Sequence, residues 1–160
     1  MSEIVLIDTS VYLNVLDVPG FNQEREKIFA EFRQRIQKDA IFLLPLATIW
    51  ETGNHISRLP NGNLRRKYAQ IFVNQIGYAI EGKSPYRPTY FPDQQTFRKW
   101  LVDYPDYAQR NKTIHKTTEG GSLSDLSIIR EWKQLCQRHP MSRVIIWSLD
   151  IDLRHYDSGI

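Results

Sequence analysis

Cysteine is almost missing from this chain of 160 residues: Cys136 stands alone. No internal disulfide is possible, and a single thiol on the apolar side of an expected helix reads as a small buried hydrophobe rather than a nucleophile. This favours a reducing, cytoplasmic setting. No apolar stretch approaches the roughly 20 residues of a membrane span, so no membrane partner is expected. The chain passes from Glu3 straight into an apolar run, which is not how a signal peptide begins. There is no phosphate-binding glycine-rich loop with its lysine and no Gly-x-Ser-x-Gly elbow. Repeats and low-complexity tracts are absent as well.

What is present is ordinary in bulk. The chain is 41% hydrophobic and 24% charged, values typical of a soluble globular protein, and its length suits one domain over residues 1–160. The formal net charge is +3, with a sequence pI near 9.0. That excess is modest. It gains meaning if the acids are gathered in one pocket, because the remaining surface is then more basic than the total suggests. An acidic centre in a basic surround suits a polyanion.

The acids are placed to do this. Residues 4–7 are an unbroken apolar run rich in β-branched side chains, which reads as a strand buried on both faces. Asp8 follows it directly. Residues 143–149 form a second run, which ends in Asp150 with Asp152 two positions on. Residues 40–45 form a third, and it turns into the segment from Thr48 to His55. Thr48 is expected to cap a helix there, with Glu51 in its first turn. Gly120 and Gly121 end whatever precedes them. Ser122 or Ser124 then caps a helix through Leu126, Ile129, Trp132 and Leu135, with Asp125 in its first turn. The order strand, helix, strand, helix, helices, strand predicts an α/β fold with crossover connections.

Each acid also has a plain reading. Thr48 with Glu51, and Ser122 with Asp125, fit the capping-box pattern. Asp8 and Asp150 would serve as turn residues. Convergence separates the two readings. If the three runs form one parallel sheet, Asp8, Asp150 and the start of the Glu51 helix meet at its carboxyl edge, where such sheets bind ligands. Like charges crowded there raise one another's pKa and destabilise the fold, and a divalent cation offsets that. Mg²⁺ and Mn²⁺ take oxygen ligands and near-octahedral geometry. They acidify a coordinated water and neutralise charge on a phosphate, singly or as a pair about 4 Å apart.

Four motifs carry a resemblance: Ile7 to Ser10, Glu51, Ser124-Asp125 opening a helix, and Ser148 to Asp152 after the last strand. In this order, across nearly the whole chain, they resemble the PIN-domain ribonucleases, a family that includes toxins of type II toxin–antitoxin pairs. The resemblance implies a three-layer α/β/α sandwich with a central parallel sheet. It implies an acidic Mg²⁺ or Mn²⁺ pocket of Asp8, Glu51, Asp125 and Asp150, and hydrolysis of RNA phosphodiester bonds. Thr9, Ser10 and Ser148 would support the pocket through hydroxyls. The expected partners are RNA, a small antitoxin protein and a second copy of the chain. The rival expectation is a catalytically silent RNA-binding or scaffold protein of the same fold. Two departures stand out. Residues 59–116 are longer than a minimal member needs, and little chain follows Asp152 for a short last strand.

The rest reads more plainly. Residues 22–38 predict a charged helix with Ile28, Phe29, Phe32 and Ile36 on one face, and residues 14–21 a connecting loop. Residues 64–80 predict a helix with Tyr68, Ile71, Phe72 and Ile76 on its apolar face. Arg65, Arg66 and Lys67 at its start grip phosphate or are simply a solvated helix end. Residues 84–92 hold three prolines and cannot be regular helix; a loop packed on the body is expected, with aromatics able to stack on bases. Residues 93–110 predict a helix with Phe97, Trp100 and Leu101 inward and Pro105 ending or kinking it. Lys112 and Lys116, beside Asp125 in sequence, are the preferred phosphate contacts. His55, four residues after Glu51, lacks the second histidine pair that a zinc site would need, and is expected at the surface or pocket rim. Asp150, Asp152, His155 and Asp157 lack the glycine and distal glutamate of a calcium loop. Asp152 is expected to cap residues 153–155.

Overall fold

The three apolar runs are strands of one parallel sheet. The computed structural model describes residues 2–159, and among them are four strands and seven helices. They follow as β1 (Glu3–Ile7), α1 (Thr9–Val15), α2 (Arg25–Gln37), β2 (Ile41–Leu44), α3 (Leu46–Ser57), α4 (Gly62–Ile80), β3 (Tyr86–Pro88), α5 (Gln94–Gln109), α6 (Leu123–Arg138), β4 (Arg143–Trp147) and α7 (Ile151–Arg154). The sheet order is β3-β2-β1-β4, and every pairing is parallel. Ile4 lies opposite both Ile41 and Val144, and Ile7 opposite Trp147.

Helices cover both faces of the sheet. Successive strand side chains point to opposite sides, so Val5 and Ile7 pack with Ile28 and Phe32 of α2, Ile56 of α3 and Ala79 of α4. Leu6 packs the other way, with Ile146 of β4, Ile128 and Ile129 of α6 and Leu153 of α7. Val5, Leu6 and Ile7 are all fully buried, which is why β1 shows no polar alternation. The result is an α/β fold with a parallel sheet between two helical layers.

Several expectations are corrected. A seven-residue helix, α1, begins at Thr9 and takes in Asn14 and Val15, which were expected in a loop. α2 starts at Arg25, and Ile36 in its last turn is 46% exposed rather than part of the core face. The proline-rich segment supplies β3, a three-residue edge strand registered against β2 with Leu43 opposite Arg87. Proline lacks an N–H, and an edge strand tolerates that loss. α5 continues through Pro105, and Phe97 and Leu101 are 43% and 41% exposed, so they are not part of the buried core. The chain after Asp152 does pair: Ile145 and Asp157 form an antiparallel bridge. Ile146 donates its N–H to Tyr156 O, and Ser158 donates to Val144 O, both at 3.0 Å.

Candidate active site at the carboxyl ends of the strands

Asp8 is the innermost acid. Its N–H still donates to Trp147 O at 3.0 Å, so its backbone extends the β1–β4 ladder. Its carbonyl then accepts from Val11 and Tyr12 and starts α1. The side chain does not cap that helix. It is 2% exposed, and its Oδ2 accepts from Ser10 Oγ at 2.9 Å and from Ser148 Oγ at 2.7 Å. The same two hydroxyl oxygens accept from the Leu149 and Asp150 amides, each at 2.9 Å. The two serines thus lock the end of β1 to the turn after β4. Burial pushes the Asp8 pKa up to about 6, against the serine hydrogen bonds that favour its charged form.

Glu51 arrives on α3. That helix is entered at Leu46, with Pro45 as N-cap at φ −59°, so Thr48 is not the cap and Glu51 sits beyond the first turn. Proline's fixed φ and missing N–H are compatible with a helix entrance, so the helix starts earlier than Thr48. The Thr48 hydroxyl instead donates to Ile7 O at 2.8 Å, pinning α3 to the end of β1. Thr9 Oγ1 donates to Glu51 Oε2 at 2.9 Å and so orients that carboxylate, whose charge bears on Asp125 and Asp150.

Asp125 arrives on α6. Ser122 is the N-cap, its Oγ accepting from the Asp125 N–H at 3.0 Å. The reciprocal half of a capping box is not made: among the described residues the Asp125 carboxylate has no hydrogen-bond partner. It is 7% exposed. Burial, then the charges of Asp8 and Asp152, push its pKa up to about 7, with Lys112 opposing.

Asp150 is the N-cap residue of α7 without a side-chain cap bond, and Asp152 lies in that helix's first turn. Asp152 therefore does not cap residues 153–155: the extended residue before the helix is two positions earlier. Partial burial and the charge of Asp152 raise the Asp150 pKa, while Lys112 and Lys116 lower it.

The positive charge comes from a hairpin between α5 and α6. Asn111 bridges Gly120, and Lys112 N–H donates to Glu119 O at 2.8 Å. A Cβ at Gly120 would stand 1.9 Å from Ala108 O, and one at Gly121 2.3 Å from the Tyr107 ring. The two glycines therefore let the hairpin press against the end of α5, which brings Lys112 beside the acids. Burial works against the Lys112 charge, but Asp125, Glu119 and Asp152 outweigh it and raise its pKa. Arg65, Arg66 and Lys67 are elsewhere. Arg65 donates to Leu59 O at 2.7 Å, Arg65 and Arg66 line a separate cavity of about 550 Å³ with Gly53 and Ile56, and Lys67 lies over the Tyr68 ring.

Sequence reasoning missed Glu131. It lines an apolar cavity of about 530 Å³ with Trp50, Phe91 and Trp100. Thr89 Oγ1 donates to its Oε1 at 2.9 Å, its Oε2 is buried with no partner among the described residues, and burial pushes its pKa up to about 7. Nothing in the periodicity of α6 distinguishes Glu131 from a solvated helix residue. Cys136 is half-buried, with its thiol pKa raised by burial. His55 packs edge-on against Phe21.

Three elements and two loop ends thus bring five acids within electrostatic reach of one another. Among the described residues, no three Asp, Glu, His or Cys side chains stand close enough to enclose an ion as they are. The donor set itself, carboxylates and hydroxyls without thiol or imidazole, is the kind that a hard divalent cation takes. No family model, curated protein or solved structure matches the chain.

Proposed function

We propose that the chain is a PIN-like, metal-dependent endoribonuclease that hydrolyses RNA phosphodiester bonds. One observation carries the reading. At the carboxyl edge of a parallel sheet, Asp8 and Asp125 are buried acids whose pKa values are driven up to about 6 and about 7, in part by neighbouring carboxylates. Such crowding costs stability until a proton or a cation relieves it, and it concentrates at functional sites.

Asp8, Glu51, Asp125 and Asp150 would hold Mg²⁺ or Mn²⁺, with Asp152 beside them. When bound, the ion supplies an acidified water and neutralises charge on the phosphate. The chain's own groups do the positioning. Ser10 and Ser148 fix one oxygen of Asp8, Thr9 fixes one of Glu51, and Lys112 and Lys116 draw the polyanion in.

The rival reading, a catalytically silent RNA-binding or scaffold domain, is favoured by the spacing of the acids, no three of which enclose an ion as they stand. Mn²⁺ titration separates the two. A ligand bound only to the native state stabilises it by about 2.7 kcal/mol at a hundredfold excess over Kd. Mn²⁺ should raise the melting temperature of the wild type and support RNA cleavage, and Asp8→Asn should lose both. No shift and no cleavage in the wild type would leave the silent domain. A toxin role adds one expectation: expression arrests growth, and the product of a short neighbouring reading frame relieves it.

A further inference from the structure

We propose that the polar pocket between the 111–120 hairpin and α7 is a subsite for the RNA phosphodiester next to the scissile one, with Arg110 and Lys112 as its cationic ligands. The inference rests on the endoribonuclease reading. The pocket has a volume of about 280 Å³ and is lined by Tyr107, Arg110, Lys112, Asp152, His155 and Tyr156, among others. It adjoins the acidic group: Asp152 lines it, and that residue lies within electrostatic reach of Asp125 and Asp150.

Its lining residues already make contacts of their own. The Arg110 guanidinium lies 5.0 Å from the centre of the Tyr107 ring. Lys112 is tethered by its backbone to Glu119, and its ammonium reaches Glu119 at only 3.4 Å. His155 stacks on Tyr156 at 4.6 Å, with Nδ1 3.2 Å from Ile151 O, and Tyr156 meets Trp132 edge-on. Glycines at 120 and 121 let the hairpin close on Tyr107 and Ala108. Arg110 and Lys112, the latter also paired with Glu119, thus stand on a pocket whose lining carboxylate is Asp152, beside a centre that is itself acidic.

The chemistry selects phosphate. The acidic centre repels a polyanion unless positive charge stands next to it, and a phosphodiester one linkage from the reacting one meets that charge here. Arginine offers a forked set of donors to the non-bridging oxygens, and lysine a point charge. Neither contact reads a base, so the subsite fixes register without sequence preference.

The test uses a short RNA carrying one neutral methylphosphonate, moved linkage by linkage, with binding followed by fluorescence anisotropy in EDTA. For the wild type, one position should weaken binding by about tenfold, the size of one lost charged hydrogen bond. Arg110→Ala should weaken binding of all-phosphate RNA by a similar factor, and should cost nothing further on the RNA modified at that one position. Lys112→Gln gives a second, independent variant with the same expected pattern. If both variants add to every methylphosphonate alike, or change nothing, the subsite is overturned. Coupling that appears only with 5′-phosphorylated RNA also overturns it, in favour of recognition of a chain end. If the coupled linkage is found but Mn²⁺ supports no cleavage, the nuclease reading falls, and with it the subsite's place next to a scissile bond, while phosphate binding by Arg110 and Lys112 stands. If cleavage occurs and no linkage couples, the reverse holds.

Discussion

Asp8, Asp125 and Glu131 are carboxyls whose native pKa values lie above those of the unfolded chain, at about 6, about 7 and about 7. The native state therefore binds protons more readily than the unfolded state. Stability is greatest below about pH 4 for these groups and is lost as pH rises through their native values. Metal-free protein should melt higher at pH 5 than at pH 8; a profile rising over that window would contradict the burial described. Glu131→Gln should flatten the profile and stabilise the protein at pH 8, by on the order of 3 kcal/mol for a shift from 4.5 to about 7, read as a higher melting temperature. Mn²⁺ should flatten the part due to Asp8 and Asp125 and leave the Glu131 part. Asp150→Ala should lose nearly all metal-dependent cleavage with the fold intact. Asp152→Ala should keep most cleavage and gain stability near pH 8, because no cap is lost and Asp125 is relieved of a like charge; cleavage assays beside melts of both variants decide this. At this scale Asp8 was legible because an acid ended a fully apolar run. Glu131 was not, because its burial depends on Thr89 and Phe91 from a distant segment.

Among the elements, helices with a clear apolar face were legible: α2, α4 and α6 lie near their expected places. α1 and β3 were not. α1 is only seven residues long and starts at once after the strand, and β3 is held by the register of β2 rather than by its own composition. The Thr48 cap failed because Pro45 starts α3 sooner. The hairpin from Asn111 to Gly120 gives the sharpest element-level test. Gly120→Ala places a methyl against Ala108 O and should cost ~1–3 kcal/mol, as overpacking does. It should also flatten the salt dependence of RNA binding to the level of a Lys112→Gln, Lys116→Gln pair, since both release the same charges from the cleft. Chemical denaturation beside binding at several salt concentrations checks both effects. An undiminished salt slope in the lysine pair would remove the hairpin from RNA binding.

For the whole molecule, the α/β class and three of the four strands were legible from apolar runs separated by amphipathic segments, while the helical layer on each face was an expectation of the resemblance alone. The strand order was not, because it is fixed by tertiary pairing. That order puts β1 in the interior beside β4, which is why Asp8 and Ser148 can share a hydrogen bond across 140 positions of chain. Both margins of the sheet also offer little length for further pairing. On one side β3 is three residues long and ends in Pro88; on the other, the bridge at Asp157 covers β4 and is clamped by the Arg143–Asp157 ion pair at 2.6 Å. Such short, blunted margins give another chain few amides to extend. Self-association, where it occurs, must then proceed through side chains on the helical layers, and it should be sensitive to changes at exposed Trp50 or Val102 and indifferent to changes along the sheet margins.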